Sequence, residues 1–156
     1  MPTPAARLAS AWTTLSRLPA GPRLFDLLIR LMVPYSGSIR PRVVRLEPGH
    51  ATVDLRDRRR LRNHLRSVHA IALANLGELA SGLAMTRALP PDVRGIPVRI
   101  EIEYLKKARG RIRAEGRATP PRAVEDETEA HASAELFDPD GELVARMTVL
   151  WRLRPA

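Results

Sequence analysis

The chain has no cysteine and few aromatic residues, and both shortages exclude classes of function. Without cysteine it cannot form a disulfide framework, a thiol nucleophile, a zinc knuckle or an iron–sulfur cluster. Aromatic residues make up only 4% of the chain, which argues against a stacking platform for single-stranded nucleic acid. The four histidines lack metal-ligand spacing on any one element, and no Gly-rich phosphate loop, GxSxG elbow or HExxH helix occurs. We therefore expect neither a metal nor a resident cofactor.

The sequence also lacks an uninterrupted apolar run long enough to span a membrane. The longest such stretch, residues 68–85, is broken by His69, Asn75, Glu78 and Ser81. We therefore expect no membrane partner and a cytoplasmic location. A length of 156 residues suits one domain over residues 1–156, and folding can bury roughly 70% of the unfolded surface of such a chain.

Lysine is scarce as well, although the net charge is +9. Only Lys106 and Lys107 are lysines among 26 basic residues, so arginine supplies the other 24. A polyanionic ligand is consistent with this balance. Because no recognition module and no interleaved aromatic residues accompany the arginines, we expect no nucleic-acid partner.

Two helices are predicted at the N-terminus, at about residues 5–18 and 23–33. The segment Pro-Ala-Gly-Pro at residues 19–22 separates them, and Pro34 is expected to end the second. Their apolar residues have the spacing of helix faces that dock on a core: Leu8, Trp12 and Leu15, then Leu24, Leu27, Leu28 and Leu31. Residues 1–37 thus form a helical extension, and residues 38–154 form the core of the domain.

Apolar and polar residues then alternate with a period of two, which is typical of strands. Val44 and Leu46, the Pro48-Gly49 turn and the alternation through Leu55 predict a hairpin. Residues 68–85 are too long for a strand and apolar on nearly every side, which predicts a buried helix. Four further strands follow, and their apolar faces begin at Val98, Ile112, Ala130 and Leu143.

One-sided alternation indicates an antiparallel sheet with one covered face, and the single long apolar helix must cover it. Small residues on both partners, such as Gly116 on a strand and Ala80 on the helix, allow the sheet to curl closely round the helix. The predicted class is therefore α+β. A hairpin, a buried helix and four more strands, in that order, make up the hotdog fold, with the N-terminal helices added.

The segment NHLRSVHAIALANLGE, residues 63–78, resembles the active-site loop and helix of hotdog acyl-CoA thioesterases of the phenylacetyl-CoA type. The whole chain is similar to the poorly characterised branch of that superfamily known only as thioesterase-like proteins. PYSGSI at residues 34–39 and YLKKARG at residues 104–110 carry this second similarity. The resemblance covers residues 24–151 and implies hydrolysis of a CoA thioester.

Four residues are candidates for catalysis. Glu78 is a carboxylate in the middle of an apolar helix, where burial is costly unless it has a partner, a wet cleft or a raised pKa. The resemblance implies that it attacks the thioester or activates water. The N–H of Ala70, at the helix start, would bind the oxyanion. The resemblance further implies that Asn63 holds the carbonyl or the water and that His69 orients the loop, although Asn63 as a turn residue and Ser67 as a plain N-cap are alternatives. Related thioesterases have His-Gly-Gly where this chain has His69-Ala70-Ile71, so Ala70 narrows the approach to the N–H.

Helix geometry predicts that two copies of the chain share each site. Nine residues at about 100° each turn Glu78 away from the His69 face, over two turns along the helix. One chain cannot easily bring the Ala70 N–H and the Glu78 carboxylate to one carbonyl, whereas two helices related by a two-fold axis can. We therefore expect an obligate homodimer, and the resemblance implies a dimer of dimers.

Basic residues on both sides of the predicted site are candidates for binding the phosphates of CoA, because one arginine guanidinium group can bind two phosphate oxygens. These candidates are Arg59, Arg62, Lys106, Lys107 and Arg109. The acyl chain would lie between helix and sheet, near Leu76, Leu79, Leu83 and Met85.

Two other functions remain open. The first is a catalytically silent binder of acyl-CoA or acyl-carrier protein, which the alanine at residue 70 favours. The second is a hotdog dehydratase or hydratase, because His64 and Glu78 have a separation similar to the His and acid of acyl-carrier dehydratases. The Phe-Pro-rich loop that accompanies that pair is missing here.

Overall fold

The alternating and apolar segments of the sequence form a six-stranded sheet and one long helix. The computed structural model describes residues 4–156, so residues 1–3 of the expected domain lie outside the described residues. The helices are α1 (Pro4–Leu15), α2 (Gly21–Met32), α3 (Pro34–Ser38) and α4 (Ala70–Ala88). The strands are β1 (Arg42–Glu47), β2 (His50–Leu55), β3 (Val93–Tyr104), β4 (Ile112–Ala118), β5 (Thr128–Phe137) and β6 (Leu143–Pro155).

The strands form one antiparallel sheet in the order β1-β2-β4-β5-β6-β3. The sheet curls around α4, whose leucines and alanines are buried on most sides. A helix that is apolar all round needs such a cover, because no face of it is suited to water. The predicted α+β class and the hotdog fold are confirmed.

Helix and sheet approach most closely at Gly116 of β4. A Cβ atom at residue 116 would lie 2.2 Å from the carbonyl oxygen of Ala80 in α4, well inside contact distance. Only a hydrogen atom fits between the two backbones there. The small residues that the sequence places on both partners therefore allow the sheet to lie directly on the helix.

The first strand departs from the expected alternation. Val43 pairs with Val53 and Arg45 pairs with Thr52, so Val44 is the extra residue of a β-bulge. Val43 is 1% exposed and Val44 is 47% exposed, which reverses the prediction that Val44 belongs to the apolar face. Leu46, beyond the bulge, is buried as expected.

The N-terminal helices dock through a different face of α2 than the leucine spacing predicts. Phe25 and Ile29 are fully buried, and the Phe25 ring packs edge-on against Trp12 of α1 at 5.0 Å between ring centroids. The prediction for three leucines of α2 is therefore wrong, because the aromatic pair fixes the inward face of the helix. These leucines are 46–70% exposed: Leu24, Leu27 and Leu31. Pro34 does follow α2, but it also begins the short helix α3.

The edge strand β3 exposes its apolar face. Within residues 4–156 it pairs only with β6, and its alternating residues Val98, Ile100 and Tyr104 are 40–46% exposed. A bulge between Pro97 and Arg99 turns the exposed Ile96 to the other face, opposite Arg152. Sequence alternation predicts the face of Val98 and Ile100 correctly as apolar, but α4 does not cover it within one chain. An open edge beside an apolar face is a surface suited to association.

Among residues 4–156, no helix is long and apolar enough to cross a membrane.

The contact between Gly116 and Ala80 predicts a large effect of one methyl group. Replacing Gly116 with Ala forces the sheet and α4 apart and should destabilise the fold by about 1–3 kcal/mol, measured by urea denaturation. Gly82→Ala is the matched control, because its added Cβ would lie 3.7 Å from Trp151 and α-helical alanine is favoured over glycine. Equal stability of the two variants would contradict this packing.

Candidate active site

Asn63 closes the loop that leads into α4. Its Oδ1 accepts hydrogen bonds from the N–H of Leu65 at 2.9 Å, the N–H of Ser67 at 3.2 Å and the hydroxyl of Ser67 at 3.1 Å. Its own N–H donates to the carbonyl oxygen of Ser67 at 2.9 Å. The side-chain oxygen is thus used within the turn, and the amide Nδ2 is the end of Asn63 that is left for a ligand.

His69 is the N-cap of α4. Its Nδ1 accepts the N–H of Ile71 at 3.1 Å, and its own N–H donates to the carbonyl oxygen of Leu61 at 2.7 Å. A ring that accepts through Nδ1 carries its proton on Nε2 when neutral. Ser67, the other candidate for this position, instead donates to Asn63. His69 therefore fixes where the helix begins.

The N–H of Ala70 points out of the helix start with no protein acceptor among residues 4–156. Ala70, Asn63 and Tyr104 line a cleft of about 250 Å³. The hydroxyl of Tyr104 donates to the carbonyl oxygen of Ala70 at 2.9 Å, and burial raises the pKa of Tyr104, which keeps this donor protonated. The arrangement leaves one oriented backbone donor facing a cleft, as an oxyanion site requires.

Glu78 lies on α4 in a second cleft, of about 380 Å³, which is also lined by Tyr35, Ile71, Asn75 and Ile100. Its carboxylate makes no hydrogen bond or ion pair with any side chain in residues 4–156. Burial, with no compensating partner, raises its pKa above the usual value. A half-buried carboxylate without a partner is suited to act as a general base.

Asn75 is a polar residue of this cleft that the sequence analysis does not single out as a candidate. It is buried one turn before Glu78, and its Nδ2 donates to the carbonyl oxygen of Tyr35 at 3.2 Å. Its Oδ1 is buried without a hydrogen-bond partner among residues 4–156. The available signal was the interruption of the apolar stretch at residue 75, three residues before Glu78. Asn75 ties α3 to α4 and thereby places Tyr35 over the Glu78 cleft.

The two clefts belong to different parts of one chain. Ala70 and Glu78 are eight residues apart in a helix, or about 12 Å along its axis. Each cleft contains a residue of the exposed face of β3, with Tyr104 in the Ala70 cleft and Ile100 in the Glu78 cleft. Both clefts therefore open toward the uncovered side of the sheet, but one chain does not join them.

The basic candidates for phosphate binding have different surroundings. Arg62 pairs with Asp57 at 2.7 Å, and Lys106 pairs with Asp138 at 2.9 Å and with Glu142 at 3.3 Å. Arg109 donates to the carbonyl oxygen of Leu65. Arg59 and Lys107 are exposed and have no carboxylate within 4 Å in the described part of the chain. Lys106 and Lys107 line the Ala70 cleft, whereas Arg59, Arg62 and Arg109 do not.

The expected acyl-chain residues lie in the core instead of in the Glu78 cleft. Leu79 and Leu83 are buried with Leu76 and Met85 between α4 and the sheet. His64, the second residue of the dehydratase alternative, is exposed in the loop and does not line the Glu78 cleft. In the described residues no group of three or more His, Asp or Glu side chains is arranged to hold a metal.

Several solved structures are similar to this chain. A structural-genomics protein is 31% identical over 97% of this chain and 100% of its own, with a TM-score of 0.84. A Pseudomonas aeruginosa protein of unknown function, called a probable thioesterase, is 26% identical over 89% of this chain and 97% of its own, with a TM-score of 0.76. A thioesterase family protein from Silicibacter pomeroyi shares the fold at 18% identity, over 97% of this chain and 99% of its own, with a TM-score of 0.69.

No curated protein matches the chain. The family model described as a domain of unknown function, DUF4442, matches residues 21–153, which include α2, β1 to β5, most of β6 and both clefts. The fold is that of the hotdog thioesterases, and the chain belongs to the DUF4442 family.

Proposed function

We propose that this protein is a thioester hydrolase that cleaves an acyl-CoA at a site shared by two copies of the chain. The observation that carries the proposal is the Glu78 carboxylate, which is half-buried, has no ion pair in residues 4–156 and lines a largely apolar cleft beside an exposed sheet edge. The similar Pseudomonas aeruginosa protein, called a probable thioesterase, supports the same reaction class.

The proposed reaction uses Glu78 as a general base. The carboxylate takes a proton from water while the hydroxyl oxygen adds to the thioester carbonyl carbon. The negative charge that forms on the carbonyl oxygen is stabilised by the Ala70 N–H and by the positive end of the α4 dipole. The C–S bond then breaks, and the departing thiolate takes the proton from Glu78. Direct attack by Glu78 through an anhydride is the variant of this scheme with the same residues.

We propose a shared site because Ala70 and Glu78 lie in separate clefts, about 12 Å apart along α4. A second copy that pairs along β3 and covers its exposed apolar face would bury Val98 and Ile100 and remove the open sheet edge. It would also bring its own helix start toward the Glu78 cleft of the first copy. We propose this homodimer as the active unit and, from the family resemblance, a dimer of dimers as the full assembly.

Three candidates for phosphate contact are not already paired with a carboxylate within residues 4–156: Lys107, Arg59 and Arg109. Of these three, Lys107 lies at the rim of the Ala70 cleft. Arg62 and Lys106 would have to exchange an existing ion pair for a phosphate. We therefore propose that Lys107 contributes most among these five residues to CoA binding.

A silent acyl-CoA binder is the second candidate function. The methyl group of Ala70 narrows the approach to the helix N–H, and Asn63 Oδ1 is already saturated by its own loop. Such a protein would bind CoA esters saturably without releasing thiol.

Loss of the Glu78 carboxylate should abolish most of the activity. Glu78→Gln keeps the size and polarity of the side chain but cannot accept a proton, so we expect a decrease in kcat/KM of roughly a hundredfold or more. Thiol release from short, long and aryl acyl-CoAs measures this. Glu129→Gln, an exposed glutamate of β5, is the matched control. Equal rates in the parent and Glu78→Gln would remove Glu78 from the mechanism, and binding without turnover in the parent would favour the silent binder.

Glu78→Gln should also stabilise the fold at neutral pH. Because burial raises the pKa of the carboxyl above 4.5 in the folded state, the unfolded chain releases this proton first as the pH rises. Stability is therefore lost between pH 4.5 and the higher folded pKa, and the loss persists above it. The Tm difference between variant and parent should be positive at pH 7 and shrink below about pH 4.5. A difference that does not change with pH would contradict a buried, unpaired carboxyl.

The shared site predicts that two inactive variants complement each other. Ala70→Pro removes the N–H, and proline is tolerated at this first helical position because His69 already has extended backbone angles. We expect a loss of about 10²–10³ in kcat. Co-expression with Glu78→Gln would give half heterodimers, each with one intact site of two, so roughly a quarter of the parent activity should return. No recovery would mean that each chain holds a whole site.

A further inference from the structure

A third cleft, of about 350 Å³, lies away from α4, between α2, the segment at residues 40–42 and the end of β2. Seven arginines and only two carboxylates line it. They come from four separate parts of the chain, and Arg30, Arg40, Arg56 and Arg58 are the central ones. Such a concentration of one charge in a concave site attracts an anion, because low-dielectric walls focus the field.

The two carboxylates of the cleft leave most of these arginines uncompensated. Asp54 is held by Arg113 of β4, at 2.8 and 3.1 Å, and lies 3.8 Å from Arg111 of the cleft. Asp26 accepts the N–H of Val43 at 2.9 Å, and burial raises its pKa. Within residues 4–156, Arg30, Arg40 and Arg56 have no carboxylate within 4 Å, so the charges of these three guanidinium groups are unpaired there.

The side chain of Arg58 is affected by the repulsion between the arginines of the cleft. It donates to the carbonyl oxygen of Ile39 at 3.2 Å, which fixes its guanidinium at the wall of the cleft. Burial, followed by the charges of Arg60, Arg40, Arg56 and Arg30, lowers its pKa. A bound anion would relieve this repulsion directly.

Arg40 occupies a backbone conformation that favours glycine. It follows the end of α3 with a φ of 52°, in the left-handed region, and its N–H donates to the carbonyl oxygen of Gly37 at 2.9 Å. Glycine is the usual residue at this position after a helix. A residue with a Cβ atom is unfavourable in this conformation, and backbone strain of this kind occurs mainly where the side chain has a functional role. The left-handed conformation of Arg40 places one more guanidinium group in the cleft.

We propose that this arginine cleft is a binding site for a ligand with two adjacent phosphate groups. Several guanidinium groups, each able to bind two phosphate oxygens, match a diphosphate better than a single carboxylate or phosphate. The cleft contains neither Glu78 nor Ala70, so the site does not depend on the proposed thioester hydrolysis.

Inorganic pyrophosphate is the probe for this site. Calorimetric titration at low salt should show binding to the parent protein, and saturating pyrophosphate should raise the Tm because it binds the folded state. Arg56→Gln should weaken binding about tenfold or more, as expected for loss of a charged hydrogen-bond donor. The double variant Arg117→Gln/Arg122→Gln removes twice the charge from exposed positions outside the cleft and should bind nearly as the parent does.

Arg40→Gly separates a binding role from a structural one. Glycine relieves the positive φ, so the Tm without ligand should rise by about 2–4 °C. The affinity for pyrophosphate should nevertheless fall about tenfold. A merely structural Arg40 would instead leave the affinity unchanged.

Competition with bound pyrophosphate distinguishes which kind of molecule carries the two phosphate groups. Displacement of pyrophosphate by ADP identifies a nucleotide, and displacement by phosphatidylcholine vesicles that contain diacylglycerol pyrophosphate identifies a lipid headgroup. Displacement by neither identifies the inorganic ion itself. The proposal is overturned if the parent does not bind pyrophosphate at millimolar concentration, or if Arg117→Gln/Arg122→Gln loses as much affinity as Arg56→Gln. Neither outcome bears on the proposed thioester hydrolysis, because its residues lie in the other two clefts.

Discussion

The apolar character of α4 on all its faces is the constraint on which the rest of the fold depends. A helix of this kind cannot rest on a flat sheet with one side in water, so the strands must curve around it. Curvature requires close approach, and the contact between Gly116 and Ala80 supplies it. The order of the strands then leaves one side of α4 near the edge strand β3, where cover from within the chain ends. Glu78 and Asn75 lie on that side, and so these two polar residues of α4 occur where the wrapping is incomplete.

The incomplete cover of α4 determines the surroundings of the Glu78 carboxylate. In a fully wrapped helix, Glu78 would be an unpaired buried charge that folding could not tolerate. At the open side it is half-buried, so its pKa is raised without excluding the ionised form. The apolar face of β3 beside it keeps water sparse once covered, which strengthens the effect of a single backbone donor such as the Ala70 N–H. The same edge thus provides both the surface for association and the environment for a proton acceptor.

Much of this could be predicted from the sequence, because its periodicity is clear. Alternation in β4, β5 and β6 agrees with their burial, and the long apolar run agrees with α4. The failures have local physical causes. Val44 is turned outward by a bulge that alternation cannot reveal, because an inserted residue changes the register only through pairing with β2. On α2, both faces carry large apolar residues, and the contact between Phe25 and Trp12 of another helix decides which one is buried.

The candidate site was predicted less completely than the fold. The spacing of Asn63, His69 and Glu78 identifies the loop and the helix, but hydrogen bonds decide what each residue can still offer. His69 as N-cap and Asn63 as the centre of its turn follow from hydrogen bonds that their side chains accept from backbone N–H groups, which spacing alone does not specify. The arginine cleft was hidden for a different reason. Its arginines lie at residues 23–58 and at residue 111, so no single run in the sequence marks it, whereas the conspicuous run at residues 56–62 is divided between cleft, ion pairs and solvent.

Glu78 and Arg40 are unfavourable in their local setting, and both lie at clefts. Glu78 is a carboxylate without a partner within the described chain, and Arg40 has a backbone conformation suited to glycine. Arg66 shares that conformation, with a φ of 56°, but it lies in the Asn63 turn, where its N–H donates to the carbonyl oxygen of Asn63 at 3.1 Å, and it lines none of the three clefts. A left-handed conformation alone therefore does not mark a function. Departures from local preference indicate function where the surrounding residues suit a ligand, as the apolar cleft around Glu78 suits an acyl group and the arginines around Arg40 suit an anion.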